Sequence, residues 1–203
     1  VGRIIARPYI GKKAGEFKRT ANRHDLALAP SSKTVLDNLK ENNYDVIGVG
    51  KIADIFDNQG ISKKVKTESN YDGMAKTIEL AKTDFTGLCF VNLVDFDAVY
   101  GHRRNPEGYG KAIKEFDIQL EELMKYLHHD DLLMISADHG NDPTYQGTDH
   151  TREQVPLIIY SKELLKPRQL EEMDSFAVIG ATIADNFEVP LPAIGISILN
   201  KII

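Results

Sequence analysis

The chain has 203 residues, of which 42% are hydrophobic and 27% charged, and its formal net charge is -5. That balance is ordinary for a globular domain and argues against nucleic acid or a membrane surface as the main partner. An anionic substrate would need a local cluster of cations or metal ions.

Residues 1–32 are rich in Arg, Lys, Gly and Pro and lack helical periodicity. They read as a strand or two with loops, closing at Ala29-Pro30-Ser31-Ser32. Val1 to Ala6 reads like a strand already under way and there is no initiator Met, so the chain is expected to be the C-terminal part of something longer. From residue 33 onward the pattern alternates. Ser31 or Ser32 can cap a helix from Thr34 to Asn42. Tyr44 to Val49 is a short β-branched run, expected as a buried strand. Asp72 to Lys82 has helical spacing through Met74, Ile78, Leu80 and Ala81.

Gly87 to Val94 is a second buried strand and holds the one cysteine, Cys89. A lone cysteine makes no internal disulfide, which fits a reducing cytoplasm. Glu107 to His128 is the longest expected helix, with Ile113, Phe116, Ile118, Leu120, Leu123 and Leu127 on or near one face. His128 and His129 would close it, where positive charge complements the helix dipole. Asp131 to Ala137 and Val155 to Tyr160 are the third and fourth strands, and Phe176 to Phe187 is a further helix. No apolar stretch approaches the roughly 20 residues of a membrane span, and no signal peptide is visible. Strands alternating with helices predict an α/β sandwich around a largely parallel central sheet, with helices on both faces.

Acids and histidines concentrate in three places. The first is Asp95-Phe96-Asp97 with Tyr100-Gly101-His102, after the second strand. The second is Asp138-His139-Gly140-Asn141-Asp142, after the third. The third is Thr148-Asp149-His150-Thr151, just before the fourth. Loops at the C-terminal ends of parallel strands meet at one sheet edge, where α/β proteins build their sites. Carboxylates and imidazoles without thiolates suit Mn²⁺, Zn²⁺, Fe²⁺ or Mg²⁺. Two such ions about 4 Å apart can bridge a phosphoryl group and neutralise its oxygens. A single Asp-His pair is usually a surface hydrogen bond; three such clusters in this order are far more specific. Asp95, two residues from Asp97, is placed to orient a ligand from behind.

The strings VNLVDFDAVYGHRRNPEGY (91–109) and ISADHGNDPTYQGTDHTREQVPLIIYS (135–161) closely resemble the phosphopentomutase family. GRIIARPYIG, FKRTANRHD and YDVIGVGKIADIFDNQGI (44–61) resemble it too, so the likeness covers nearly the whole chain. That family belongs to the alkaline phosphatase superfamily and interconverts ribose or deoxyribose 1-phosphate and 5-phosphate. The resemblance implies an alkaline phosphatase-like core over residues 33–203 and, over residues 1–32, the last piece of a small α+β cap domain.

It also implies two Mn²⁺ sites. One would use Asp97, His102 and His150. The other would use Asp138 and His139, with an Asp and a phosphorylatable Thr from an earlier part of the family's chain. A sugar bisphosphate would act as activator. Thr148 and Thr151 would shape the site rather than act as nucleophile. Lys51, Arg19 and Arg3, in that order, are candidates to hold the distal phosphate of a sugar phosphate, ahead of Arg7 and Arg23. The partners expected are that small molecule and the earlier part of the same protein, with no nucleic acid and no membrane. Two alternatives share these motifs: another enzyme of the superfamily, such as cofactor-independent phosphoglycerate mutase, and an inactive metal-binding fragment.

Overall fold

In the computed structural model, which describes residues 3–6, 8–19, 24–164 and 166–202, the N-terminal stretch forms two small antiparallel ladders. Its strands are Arg3–Ala6 (β1), Tyr9–Ile10 (β2), Lys18–Arg19 (β3) and His24–Ala27 (β4), paired β1 with β4 and β2 with β3. The Tyr9 and Phe17 rings meet edge-on at 5.1 Å, yet both side chains are exposed. Among the described residues the buried apolar core begins only at Leu36.

The first helix, Val35–Glu41 (α1), is capped by Thr34 rather than by Ser31 or Ser32. Asp37, three residues on, reaches back: its Oδ2 accepts from the Thr34 backbone N–H at 2.7 Å and from the Thr34 hydroxyl at 2.9 Å. With the Thr34 side chain also meeting the Asp37 backbone, the helix start is satisfied as a capping box. Asp45–Val49 (β5) is followed by Ile52–Ile55 (α2), Lys63–Val65 (β6), Asn70–Ala81 (α3) and Gly87–Val91 (β7). These strands form a parallel sheet in the order β6-β5-β7.

Next come one wide π-helical turn, Phe96–Gly101, and the long helix Pro106–Tyr126 (α4). Leu133–Ser136 (β8), Leu157–Tyr160 (β9), Ala177–Asn186 (α5) and Leu199–Ile202 (α6) complete the chain.

Side-chain alternation along β5 divides the core into two layers. Val46 packs with Leu36 and Leu39 of α1 and Ala184 of α5, on one face. Ile47 and Val49 pack with Leu80 of α3, on the other. Helices therefore cover both faces of the parallel sheet, as the alternating pattern predicts. Cys89 lies in the second cluster, and burial raises its thiol pKa to about 11, so it is a neutral core residue.

Three features are settled by contacts between distant segments or differ from the local pattern. The strand at 157–160 does not join the parallel ladder; it runs antiparallel to β8, with Ser136 opposite Leu157 and Leu133 opposite Tyr160. The connection between them holds no helix, and a parallel return needs a crossover, usually helical. The long helix α4 rests on α3, through Leu123 against Met74 and Ile78. A narrow stripe suffices for that contact, so Ile113 and Ile118 are exposed instead of buried. His128 and His129 lie past the helix end at Tyr126 and do not close it; the His128 backbone N–H instead donates to Asp131 Oδ2 at 2.7 Å.

Candidate metal centre

Two segments build the site. The turn after β7 carries Asp97 and His102, and the long β8–β9 connection carries Asp138, His139 and His150. The antiparallel pairing decides this geometry. A strand parallel to β8 would begin at the far edge of the sheet, taking His150 with it. Because β9 runs back along β8, the connection leaves and returns at the same end. A bridge between Gly140 and Thr151 closes the loop at its neck. Thr151 also accepts the Asp142 N–H at 2.6 Å and donates to Glu153 Oε2 at 2.7 Å.

Asp97 is the meeting point. Its Oδ1 lies 3.4 Å from His102 Nε2 and 3.3 Å from His150 Nε2. The His102 and His150 ring centroids are 4.8 Å apart, and His139 stacks on His150 at 3.8 Å. Ligand atoms of Asp97, His139 and His150 all lie within 4.8 Å of one another. Asp138 stands at the margin: its carboxylate is 77% exposed and its Oδ1 is 3.7 Å from His139 Nε2. The structure thus brings Asp97, His102, His139 and His150 into one cluster, with Asp138 beside it. The stacking joins His139 to the Asp97 group rather than to Asp138 alone.

Hydrogen bonds fix the rings. His102 Nδ1 is 2.6 Å from the Thr148 carbonyl oxygen, and His139 Nδ1 is 3.1 Å from that of Gly140. A carbonyl only accepts, so each contact is a hydrogen bond with the proton on Nδ1, and in the neutral ring that leaves the Nε2 lone pair free. Those lone pairs face carboxylate oxygens. Such a pair repels unless a cation bridges it or the ring takes a second proton. Carboxylate and imidazole donors, oriented from behind through Nδ1–H, fit a divalent metal ion.

Two contributors were not singled out by the motifs. Asn141 donates its amide Nδ2 to Asp97 Oδ1 at 2.6 Å. Arg104 sits at a left-handed φ of 49° just after the turn and folds its guanidinium onto the second loop. It donates to the carbonyls of Gly147 (2.5 Å), Asp149 (2.6 Å), Asp142 (2.8 Å) and Gly101 (3.1 Å) and to Asn141 Oδ1 (2.7 Å). The signals available were the Arg-Arg pair directly after His102 and the Asn of Asp-His-Gly-Asn. Neither is a carboxylate or an imidazole, the donors that mark such a centre in a sequence.

The surrounding electrostatics follow. Burial, then the negative charges of Asp97 and Glu153, push the Tyr109 hydroxyl pKa up, so it stays protonated. The Asp142 carboxyl is held below its ordinary range by the backbone N–H and hydroxyl of Thr144, aided by Arg104. Asp95 orients the turn as a whole: its Oδ2 accepts from Asn70 N at 2.7 Å and its N–H donates to Asn70 Oδ1 at 2.8 Å. The clamp ties the start of α3 to the segment leading into Asp97.

Lys51 follows Gly50 at the C-terminal end of β5, the same sheet edge from which the Asp97 turn leaves β7. Arg3 and Arg19 have backbones in β1 and β3, and their side chains lie outside the described ones. Arg7 and Arg23 lie outside the described residues altogether. Among the described residues no helix is long and apolar enough to cross a membrane.

Phosphopentomutases from Clostridium perfringens, Agathobacter rectalis and Clostridium botulinum are 60%, 59% and 58% identical to the chain over its whole length. The chain spans about half the length of these curated relatives, 52% in each case. The solved structure of the PH0037 protein from Pyrococcus horikoshii shares the fold. It matches with a TM-score of 0.53 at 18% identity, over 68% of this chain and 38% of its own. A model of the metalloenzyme superfamily matches residues 6–191, a span that includes all the candidate ligands, and the chain belongs to that superfamily.

Proposed function

We propose that this chain supplies most of a two-metal phosphoryl-transfer centre in a phosphopentomutase, an isomerase that interconverts ribose (or deoxyribose) 1-phosphate and 5-phosphate. The observation that carries the reading is the convergence on Asp97, whose Oδ1 lies within 3.4 Å of two imidazole Nε2 atoms from separate loops. The identity of 58–60% to phosphopentomutases along the whole chain supports it.

The donor set suits Mn²⁺. Asp97, His102 and His150 would hold one ion. Asp138 and His139 would help to hold the other, together with residues of the protein outside this chain. Bound there, the ions supply charge neutralisation for a phosphoryl group and polarise its nucleophile. The nucleophile would be a threonine outside these residues; Thr148 and Thr151 shape the second loop.

The chain's own groups set the stage for that chemistry. The carbonyls of Thr148 and Gly140, at 2.6 Å and 3.1 Å from Nδ1 of His102 and His139, would favour the tautomer that leaves Nε2 free for a metal ion. Asn141 holds the Asp97 carboxylate in one orientation. Lys51, at the sheet edge, would neutralise the distal phosphate of the sugar phosphate, with Arg19 and Arg3 as further candidates. A sugar bisphosphate would act as activator. Residues 1–32 would belong to a cap domain and residues 33–203 to the catalytic core. A cytoplasmic setting suits the lone, neutral thiol of Cys89.

The test is an assay of the intact protein with Mn²⁺ on ribose 1-phosphate, ribose 5-phosphate and 3-phosphoglycerate. Interconversion of the two pentose phosphates, with no turnover of 3-phosphoglycerate, is expected. Turnover of 3-phosphoglycerate alone would overturn the assignment.

A further inference from the structure

We infer that Arg104 is a positioning residue that locks Asp97 and the second loop into register and so sets the metal affinity of the centre. The inference rests on the metal-site reading above.

The argument starts from what the guanidinium touches. Its hydrogen bonds reach four carbonyls and one amide oxygen, and none of those acceptors is a carboxylate. Among the described residues Arg104 makes no salt bridge, although its charge acts at longer range on the Asp142 carboxylate. Its planar fork matches carbonyls fixed in several directions, which a lysine ammonium on a flexible stem does not. One bond continues to a ligand: Arg104 Nη1 donates to Asn141 Oδ1 at 2.7 Å, and Asn141 Nδ2 donates to Asp97 Oδ1 at 2.6 Å. The others hold the carbonyls of Gly147 and Asp149, which flank the His102 acceptor Thr148, and those of Gly101 and Asp142, one in each loop of the site. The backbone adopts a left-handed φ of 49° at Arg104 to aim the side chain this way, a conformation that disfavours any residue with a Cβ.

Charge and position predict opposite signs here, which makes the inference testable. A cation beside a dication repels it, so removing Arg104 should tighten metal binding if only charge mattered. Positioning predicts the reverse.

The experiment titrates Mn²⁺ into the intact protein, following free Mn²⁺ by electron paramagnetic resonance, for wild type, Arg104→Ala, Arg104→Lys and Asn141→Ala. Loss of an outer hydrogen-bonding partner typically weakens metal affinity about 10- to 100-fold. All three variants should fall in that range, and Arg104→Ala with Asn141→Ala should be well short of additive. Affinity in Arg104→Ala equal to or tighter than wild type would overturn the inference, as would full rescue by Arg104→Lys. If an Arg104 variant does not fold, Asn141→Ala alone decides the matter, and wild-type affinity in it would overturn the proposed relay.

A wild type that binds no Mn²⁺ would refute the metal reading instead. Hydrogen exchange in metal-free protein then tests the positioning. The amides of Asp142 and Thr151, bonded within the loop neck, should exchange about tenfold faster in Arg104→Ala. Unchanged exchange there would end the inference.

Discussion

Asn141 reaches Asp97 because residue 101 is glycine: a Cβ at Gly101 would lie 2.6 Å from Asn141 Nδ2 and 2.7 Å from its Cγ. The amide that orients the central carboxylate therefore passes through space that a methyl group would fill. Gly101→Ala should displace Asn141 and weaken Mn²⁺ binding about tenfold, the lower end of what loss of an outer partner costs. Equilibrium titration checks this, and unchanged affinity would mean that Asn141 does not orient the ligand.

The rings on Asp97 should matter more than the groups behind them. His102→Ala and His150→Ala each remove a proposed ligand and should cost more than about 100-fold in Mn²⁺ affinity. His128→Ala is the control. His128 lies beyond α4 with two acidic neighbours, Asp130 and Asp131, and its loss should leave Mn²⁺ binding at Asp97 unchanged.

Lys51→Ala in the intact enzyme should raise KM for ribose 5-phosphate more than it lowers kcat, because a phosphate-holding cation acts on the bound ground state as well as the transition state. Steady-state kinetics separate the two, and unchanged KM would remove Lys51 from the substrate site.

Stability under acid should depend on the cap of α1. Burial raises the Asp37 carboxyl pKa, but hydrogen bonds from Thr34 and Gln59 outweigh it and hold the group below its ordinary value of 3.8. A carboxyl depressed on folding stabilises the native state above its unfolded value and loses that contribution as pH falls through the lower folded value. Thr34→Ala should cost about 1 kcal/mol at pH 7, whereas Asp37→Asn, which removes the titrating carboxyl itself, should flatten the decline in stability below pH 3.8. Urea unfolding at pH 7 and pH 3 measures both; an undiminished slope in Asp37→Asn would exclude Asp37 as its source.

The sequence reveals much of this fold because its elements are locally consistent. Tyr44–Val49 and Gly87–Val94 are apolar runs bounded by turn residues, and both contain strands of the parallel sheet. Capped, periodic segments gave the helices at 70–81 and 106–126 to within a few residues. What stayed hidden depends on contacts between distant segments. Nothing local in Leu157–Tyr160 states which way the strand runs; the helix-free connection and the packing of Leu157 and Ile159 near Val178 and Ile198 decide it. Ile113 and Ile118 of α4 are exposed because the contact with α3 covers only a narrow stripe of the helix. The candidate ligands were legible because few residue types bind metals and these cluster in order. Arg104 was not, since its role consists of backbone carbonyls that any sequence could supply.

The central claim is that Asp97, His102 and His150 share one divalent ion. Anomalous diffraction at the manganese edge, from crystals of the intact protein grown with Mn²⁺, tests it directly. The account predicts an anomalous peak bonded to Asp97 and to both imidazole Nε2 atoms. Ordered density for these three side chains, with manganese bound elsewhere and none between them, would contradict it.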